Sequence, residues 1–136
     1  IIDYQLQSNS GNDQVVFESG EKLDLMVHVR FFEELTDLIY GCTVKTVDGQ
    51  TVYGTNTRQR ALDVSHGESG ATVVIRFQFD LNVVPGEYFI SLGVALDDPE
   101  RDNIAIDRRY DLIHLTVRGD YGGFGLAQMN MSITEV

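Results

Sequence analysis

The feature that most constrains this chain is the alternation of apolar and polar residues with period two, which runs through nearly every segment. Successive side chains of a β-strand point to opposite faces, so the pattern is typical of strands with one buried face. It is clearest in segments 22–32, 71–81 and 87–96, where apolar residues share one face. These inward residues are Leu23, Leu25, Val27, Val29 and Phe31; Val73, Ile75, Phe77, Phe79 and Leu81; and Tyr88, Ile90, Leu92, Val94 and Leu96. No window shows a sustained helical stripe, and we predict an all-β chain.

The remaining segments complete a β-sandwich. Further strands are predicted at 2–7, 38–47, 51–55, 108–118 and 124–134. Short strands separated by turn residues favour an immunoglobulin-like antiparallel sandwich of two sheets, with about eight or nine strands. The chain has one cysteine and no tryptophan, so no disulfide or Trp holds the core as in antibody domains.

Two turns have specific sequence signatures. Asp48-Gly49 tolerates positive φ and predicts a hairpin between the strands on either side of it. Val84-Pro85-Gly86 predicts a tight turn, with Pro85 presetting φ and Gly86 in the left-handed region.

Charge and composition exclude several classes of protein. The chain carries 21 acidic and 10 basic residues, a formal net charge of −11, and we expect no binding to nucleic acid or to an anionic membrane surface. Cys42 is the single cysteine, which fits a reducing compartment. No apolar run approaches the roughly 20 residues of a membrane span. We expect residues 1–136 to form one domain, and a start without Met suggests a piece of a longer protein.

The sequence contains none of the common catalytic motifs: no phosphate loop ending in Lys-Ser or Lys-Thr, no H-E-x-x-H and no G-x-S-x-G. His28, His66 and His114 are tens of residues apart, and no Cys and His cluster predicts a metal site. The acidic stretch 97–103 offers oxygen ligands of the kind that calcium prefers, but a solvated loop is the favoured interpretation. We therefore expect no enzyme activity, cofactor or metal.

The outward face of the predicted second sheet is the candidate binding surface. Its outward residues are Ile39, Gly41, Thr43 and Lys45; Phe89, Ser91, Gly93 and Ala95; and Leu112, His114, Thr116 and Arg118. Small residues form a shallow floor beside an aromatic ring and several donors, which suits a sugar. The candidate glycan-binding residues are Thr43, Lys45, Phe89, Ser91, His114 and Arg118. The alternative is a protein-docking face, which Ile39 and Leu112 would favour. On the opposite sheet, His28, Arg30, Arg76 and Gln78 are expected to be solvated.

The order of several sequence motifs resembles a known family. The motifs are FESGEKLDLMVHVRF at 17–31, VDGQ at 47–50, VYGTNT at 52–57, VVIRFQFDLNV at 73–83, VPGEYFISLGVAL at 84–96 and LIHLTVRG at 112–119. Together they resemble the C-terminal carbohydrate-binding domain of Wzt-type proteins, the ATP-binding subunits of ABC transporters that export O-antigen polysaccharide. The resemblance covers nearly the whole chain.

This resemblance implies a cytoplasmic, non-catalytic domain that binds the finished, often capped, non-reducing end of a lipid-linked O-antigen polysaccharide before export. It implies a nucleotide-binding domain in the same chain and a membrane subunit as partners, at the bacterial inner membrane. It also implies a homodimer that exchanges the last strand, 124–134, with Gly122-Gly123 as a hinge. A charged cap would need a local pair of cations, and the candidates are Lys45 with Arg118 or Arg58 with Arg60. The alternatives are a protein-interaction sandwich that docks a transporter or assembly partner, and a calcium-dependent or hydrolytic module using Asp97, Asp98 or Asp102.

Overall fold

The fold was obtained as a computed structural model. It describes residues 1, 3–8, 15–64, 66–98, 100, 103–119 and 122–136. This part of the chain contains eight strands and no helix, and therefore none that could cross a membrane. The strands are β1 (Asp3–Ser8), β2 (Val16–Glu18), β3 (Lys22–Arg30), β4 (Leu38–Thr46), β5 (Thr51–Asn56), β6 (Thr72–Asp80), β7 (Gly86–Leu96) and β8 (Ile104–Arg118).

The strands form two sheets. One has the order β1-β3-β6 and the other the order β2-β8-β7-β4-β5. The all-β, immunoglobulin-like sandwich is therefore confirmed, and β4, β7 and β8 are neighbours as predicted. All pairings are antiparallel except that of β2 with β8, which is parallel. We did not predict β2, because three residues are too few to show alternation.

The core lies between the two sheets and consists of the predicted inward faces. The inward residues of β3, together with Phe31, are at most 4% exposed, and Ile90, Ile113, Leu115 and Val117 are at most 2% exposed. The inward residues of β6 are only half-buried, because β6 is an edge strand. Cys42 belongs to this core, and burial raises the pKa of its thiol to about 12, so it stays protonated at neutral pH.

The Asp48-Gly49 hairpin forms as predicted. Gly49 has a φ of 87°, and its N–H donates to the Thr46 carbonyl at 3.0 Å. The Thr46 hydroxyl donates to the Asp48 carboxylate at 2.6 Å and accepts the N–H of Gln50 at 3.0 Å. This turn fixes the register of β4 with β5, and hence one border of the five-stranded sheet.

The predicted tight turn at Val84-Pro85-Gly86 is wrong. β6 and β7 lie in different sheets, so residues 81–85 cross between the sheets. Gly86 is not among the residues with positive φ and is the first residue of β7, paired with Val117. The Tyr88 hydroxyl donates to the Val84 carbonyl at 2.6 Å, as in the tyrosine corner of immunoglobulin-like sandwiches.

The predicted strand 124–134 is absent from the described chain. Ala127 forms an isolated bridge with Val83, the Val84 N–H donates to the Leu126 carbonyl, and the Gln128 N–H donates to the Asn82 carbonyl. Beyond this point the apolar alternation is present in the sequence, but the chain forms no ladder there. Alternation alone does not make a strand when no partner strand lies beside it. By contrast, the predicted strand 2–7 is present as β1. Ile2 alone of that prediction lies outside the described residues.

Candidate functional site

The outward face of the five-stranded sheet carries a row of three candidate residues across β4, β7 and β8. Lys45 is paired with Phe89, and Phe89 is paired with His114 on the other side. The rings of Phe89 and His114 stack, with centroids 5.0 Å apart and an interplanar angle of 29°. The His114 side chain remains 56% exposed. The stack therefore offers both an apolar surface and an accessible imidazole.

Glu87 orients this imidazole, although the sequence analysis did not identify it. The Glu87 carboxylate lies 2.7 Å from His114 Nε2 and accepts a hydrogen bond from the Thr116 hydroxyl at 2.8 Å. The hydrogen bond from Thr116, assisted by His114, lowers the pKa of Glu87 from its ordinary value. Glu87 is thus ionised at neutral pH. The clue in the sequence was its spacing, since residue 87 shares the outward face with residue 89.

The floor beside the stack is made by small side chains. Thr43 is paired with Gly54 on one side and with Ser91 on the other, and Gly41 is paired with Gly93. A Cβ atom added at Gly54 would lie 2.9 Å from Thr43 Oγ1, so glycine leaves space for the threonine hydroxyl. The result is a floor of small residues around Thr43, next to Phe89.

Ser91 is buried in this floor and holds an irregular part of β8. Leu92 is paired with Arg109 and Ile90 with Ile113, so three residues of β8 lie opposite Ser91 alone. The Ser91 hydroxyl oxygen accepts the N–H of Asp111 at 2.9 Å, and Asp111 has a φ of 49°. This arrangement is a β-bulge, which redirects side chains locally.

The bulge places Tyr110 at the border of the site. Its side chain is 65% exposed, and the Lys45 ammonium lies 5.4 Å from the centroid of its ring. Arg108 Nη1 lies 3.5 Å from the Tyr110 hydroxyl. Because β7 lies between β4 and β8, Lys45 reaches across β7 to contact this ring. Tyr110 and Arg108 were not among the candidates from the sequence, although both share the outward parity of His114 within the predicted strand 108–118.

Arg118 lies apart from the other candidates. It is four residues beyond His114 along β8, a separation of about 13 Å. Its guanidinium donates to the Glu18 carboxylate at 2.8 Å, across the pairing of β8 with β2. The structure therefore brings together Thr43, Lys45, Phe89, Ser91 and His114, and it places Arg118 apart from them at the C-terminal end of β8.

Two residues predicted to make the face apolar are not exposed. Ile39 is only 4% exposed, and Leu112 is half-buried and packs against the core. Leu112 belongs to the bulge opposite Ser91, where regular alternation does not hold. On the opposite sheet, Arg76 donates two hydrogen bonds to Asp24, whose side chain is only 11% exposed.

The described residues of the acidic stretch 97–103 make hydrogen bonds within the protein. The Arg58 guanidinium donates to Asp97 and to Asn103, each at 2.8 Å, and Asp98 accepts the N–H of Glu100 at 2.9 Å. Among the residues that the structure describes, no group of three or more His, Cys, Asp or Glu could hold a metal ion. Asp102 lies outside those residues.

A depression lies between the edge strands β5 and β6, where the two sheets are not joined. It has a volume of about 530 Å³ and is lined mainly by apolar side chains, including Tyr53 and Phe77. Arg60 lies at this depression, whereas Arg58 is engaged by Asp97, so the two arginines do not form a joint anion site.

The fold and the site together define an immunoglobulin-like β-sandwich with a shallow, aromatic and polar outer face. The chain matches the Wzt C-terminal domain family over residues 1–129. It is also similar to a crystal structure of the C-terminal domain of wzt, with a TM-score of 0.91 and 28% sequence identity. That similarity covers 100% of this chain and 83% of the other. No curated protein matches the chain.

The chain belongs to the Wzt C-terminal domain family. The family resemblance that the sequence motifs indicated is thereby confirmed. Membership of this family supports a role in an O-antigen ABC transporter.

Proposed function

We propose that the outward face of the five-stranded sheet binds the non-reducing end of a lipid-linked O-antigen polysaccharide, without catalysing a reaction on it. The observation that carries this proposal is the stack of Phe89 on His114, beside the Glu87 carboxylate and the small floor around Thr43. An aromatic ring packs against the C–H face of a sugar, while carboxylate, imidazole and hydroxyl groups bind its hydroxyls. The transporter context comes from the family.

The burial of the apolar residues supports a glycan over a protein partner on this face. Docking of a protein was the alternative because Ile39 and Leu112 were expected to be exposed. With Ile39 buried and Leu112 half-buried, the accessible side chains are mainly polar or aromatic. A protein interface core is usually more apolar than this.

The proposed setting follows from the same family. The domain acts in the cytoplasm, beside a nucleotide-binding domain of the same polypeptide, and meets the membrane subunit of the transporter at the inner membrane. ATP hydrolysis belongs to the nucleotide-binding domain. We propose that residues 1–136 are one folding unit within this subunit.

The test is titration of the domain with O-polysaccharide from its own source strain, intact and with the non-reducing end removed. Calorimetry gives the affinity, and NMR shifts identify the face. Phe89→Ala should weaken binding by about two- to tenfold, because aromatic packing contributes about 0.5–1.5 kcal/mol. Phe32→Ala is the matched control, since Phe32 is an exposed phenylalanine after the end of β3.

Binding to the intact polysaccharide alone supports recognition of the end. Equal binding to both forms replaces this with recognition of an internal repeat. Absence of binding to either form, or equal effects of Phe89→Ala and Phe32→Ala, overturns the proposal.

We also propose that the domain dimerises through residues 124–134. Four apolar side chains in this segment are at least 80% exposed, and they are Phe124, Met129, Met131 and Ile133. Three of them alternate with polar residues, as in a strand that lacks a partner. A strand exchanged with a second copy would cover them. Light scattering of a variant lacking residues 122–136 tests this. We expect a monomer, and a well-folded dimer of that variant contradicts the proposal.

A further inference from the structure

The chain is strongly acidic, yet two cations on its binding face have no carboxylate partner. Arg58, Arg76, Arg109 and Arg118 each form an ion pair with an aspartate or glutamate. Within the described part of the chain, neither Lys45 nor Arg108 forms such a pair. Lys22, Arg30 and Arg60 also form no ion pair with a described residue, so what distinguishes Lys45 and Arg108 is that they meet on the binding face.

Both cations contact the same exposed aromatic ring. Lys45 lies over the ring of Tyr110 at 5.4 Å, and Arg108 lies 3.5 Å from the hydroxyl of that tyrosine. The ring itself is 65% exposed. A cation–π contact explains one cation on a tyrosine. Arg108 brings a second positive charge to the same tyrosine, so an anion beside Tyr110 would be attracted by both cations.

Among the described residues, the surroundings of Lys45, Arg108 and Tyr110 supply neither cation with a carboxylate partner. This group borders the floor formed by Thr43, Ser91 and Gly93, since Gly93 is paired with Arg108. Three acidic residues lie on β7 and β8. The Glu87 carboxylate is engaged by His114 and Thr116, and Asp107 is paired with Arg109 and with the amine of Ile1. Asp111 belongs to the bulge held by Ser91, and within the described part of the chain none of the three makes an ion pair with Lys45 or Arg108.

We propose that Lys45 and Arg108 bind an anionic group, a carboxylate or a phosphate, on a sugar residue that packs beside Tyr110. This inference rests on the proposed function of the face and names the class of glycan that it selects. Arg108 supplies a planar fork of donors that fits an oxyanion, and Lys45 supplies a second positive charge. The floor of small residues beside Phe89 contacts the neighbouring part of the glycan.

The experiment uses defined probes on the complete domain. Methyl glucoside, methyl glucuronide and glucose 6-phosphate are titrated separately, and backbone amide shifts are followed by NMR. We expect both anionic probes, or one of them, to bind at least fivefold more tightly than methyl glucoside, with the largest shifts at Gly93, Arg108 and Tyr110. The preference should weaken as salt is raised, because the charges are exposed. The stronger of the two anionic probes identifies carboxylate or phosphate.

Variants assign the effect to the two cations. Arg108→Gln and Lys45→Met should each reduce the preference for the anionic probe about threefold or more, with little change for methyl glucoside. Arg118→Gln is the matched control, since Arg118 is a cation of the same strand that already has a carboxylate partner. Asp111→Asn should strengthen binding of the anionic probe, because it removes a negative charge near the site. Asparagine also tolerates the positive φ of this position.

The outcomes separate this inference from the proposed function. If the polysaccharide binds and Phe89→Ala weakens it, but the anionic probes gain nothing over methyl glucoside, the inference is wrong and the glycan-binding face stands. Equal losses from Arg118→Gln and Arg108→Gln also overturn the inference, since the preference then reflects overall charge. If neither the polysaccharide nor any probe binds, both proposals fail.

Discussion

Replacing Gly67 with alanine should destabilise the fold through a specific clash with Phe31. A Cβ atom at residue 67 would lie 2.4–2.5 Å from three atoms of the Phe31 ring, whereas ordinary contacts begin near 3.4 Å. The ring must therefore move by about 1 Å. It has little freedom to do so, because Phe31 is 3% exposed and belongs to the core.

The backbone on both sides of this contact is also held. Leu35 and Gly67 exchange two hydrogen bonds of 2.9 and 2.8 Å. The Phe31 N–H donates to the Ala71 carbonyl, and the Phe31 carbonyl accepts the N–H of Gly70. The clash must therefore be absorbed by the ring and its neighbours. Overpacking of this kind costs about 1–3 kcal/mol, against a gain of about 0.4–1 kcal/mol from the stiffer unfolded chain.

We expect a net loss of about 1.3 kcal/mol, which corresponds to a fall in Tm of about 4–5 °C. Urea unfolding followed by circular dichroism measures it. Gly86→Ala is the control, because its nearest contact would be an ordinary 3.7 Å and its φ is likewise outside the left-handed region. The double variant Gly67→Ala, Phe31→Leu should recover at least about 1 kcal/mol relative to additivity. If Gly67→Ala is as stable as Gly86→Ala, the packing argument is refuted.

Three further predictions concern buried polar groups. Tyr88→Phe removes the hydroxyl that donates to the Val84 carbonyl and should cost about 1 kcal/mol in urea unfolding. Tyr40→Phe should be neutral or stabilising in the same assay, because the buried Tyr40 hydroxyl has no partner within the described residues; a loss above about 1 kcal/mol contradicts this. The hydrogen bonds from Arg76 lower the pKa of Asp24, so the stability from this pair is present above about pH 4 and is lost as pH falls below it. Asp24→Asn should therefore be destabilising at pH 7 and progressively less so as pH falls below about 4, and an effect that does not diminish with falling pH argues against the pair.

Much of the candidate site could be predicted from spacing. Lys45, Phe89 and His114 were placed on one outward face by alternation, and the register aligned them in one row. Glu87 was also accessible to this reasoning, because it has the same parity as Phe89. Arg108 and Tyr110 were accessible in the same way, because they share the parity of His114, and the bulge opposite Ser91 adds two residues to β8 and so preserves that parity. Spacing within β8 does not indicate that Tyr110 lies beside Lys45, since this contact depends on how β8 pairs with β7.

The sequence by itself determined most of the longer strands and which face of each of them is buried. Both properties follow from a period of two residues, which is local to each segment. Only the tertiary structure decided that residues 81–85 cross between the sheets, that Ile39 is buried on an outward face, and that 124–134 forms no ladder. It also decided that Lys45 and Arg108 meet at Tyr110. The physical reason is that strand pairing and burial depend on partners distant in sequence, which alternation within one segment does not specify.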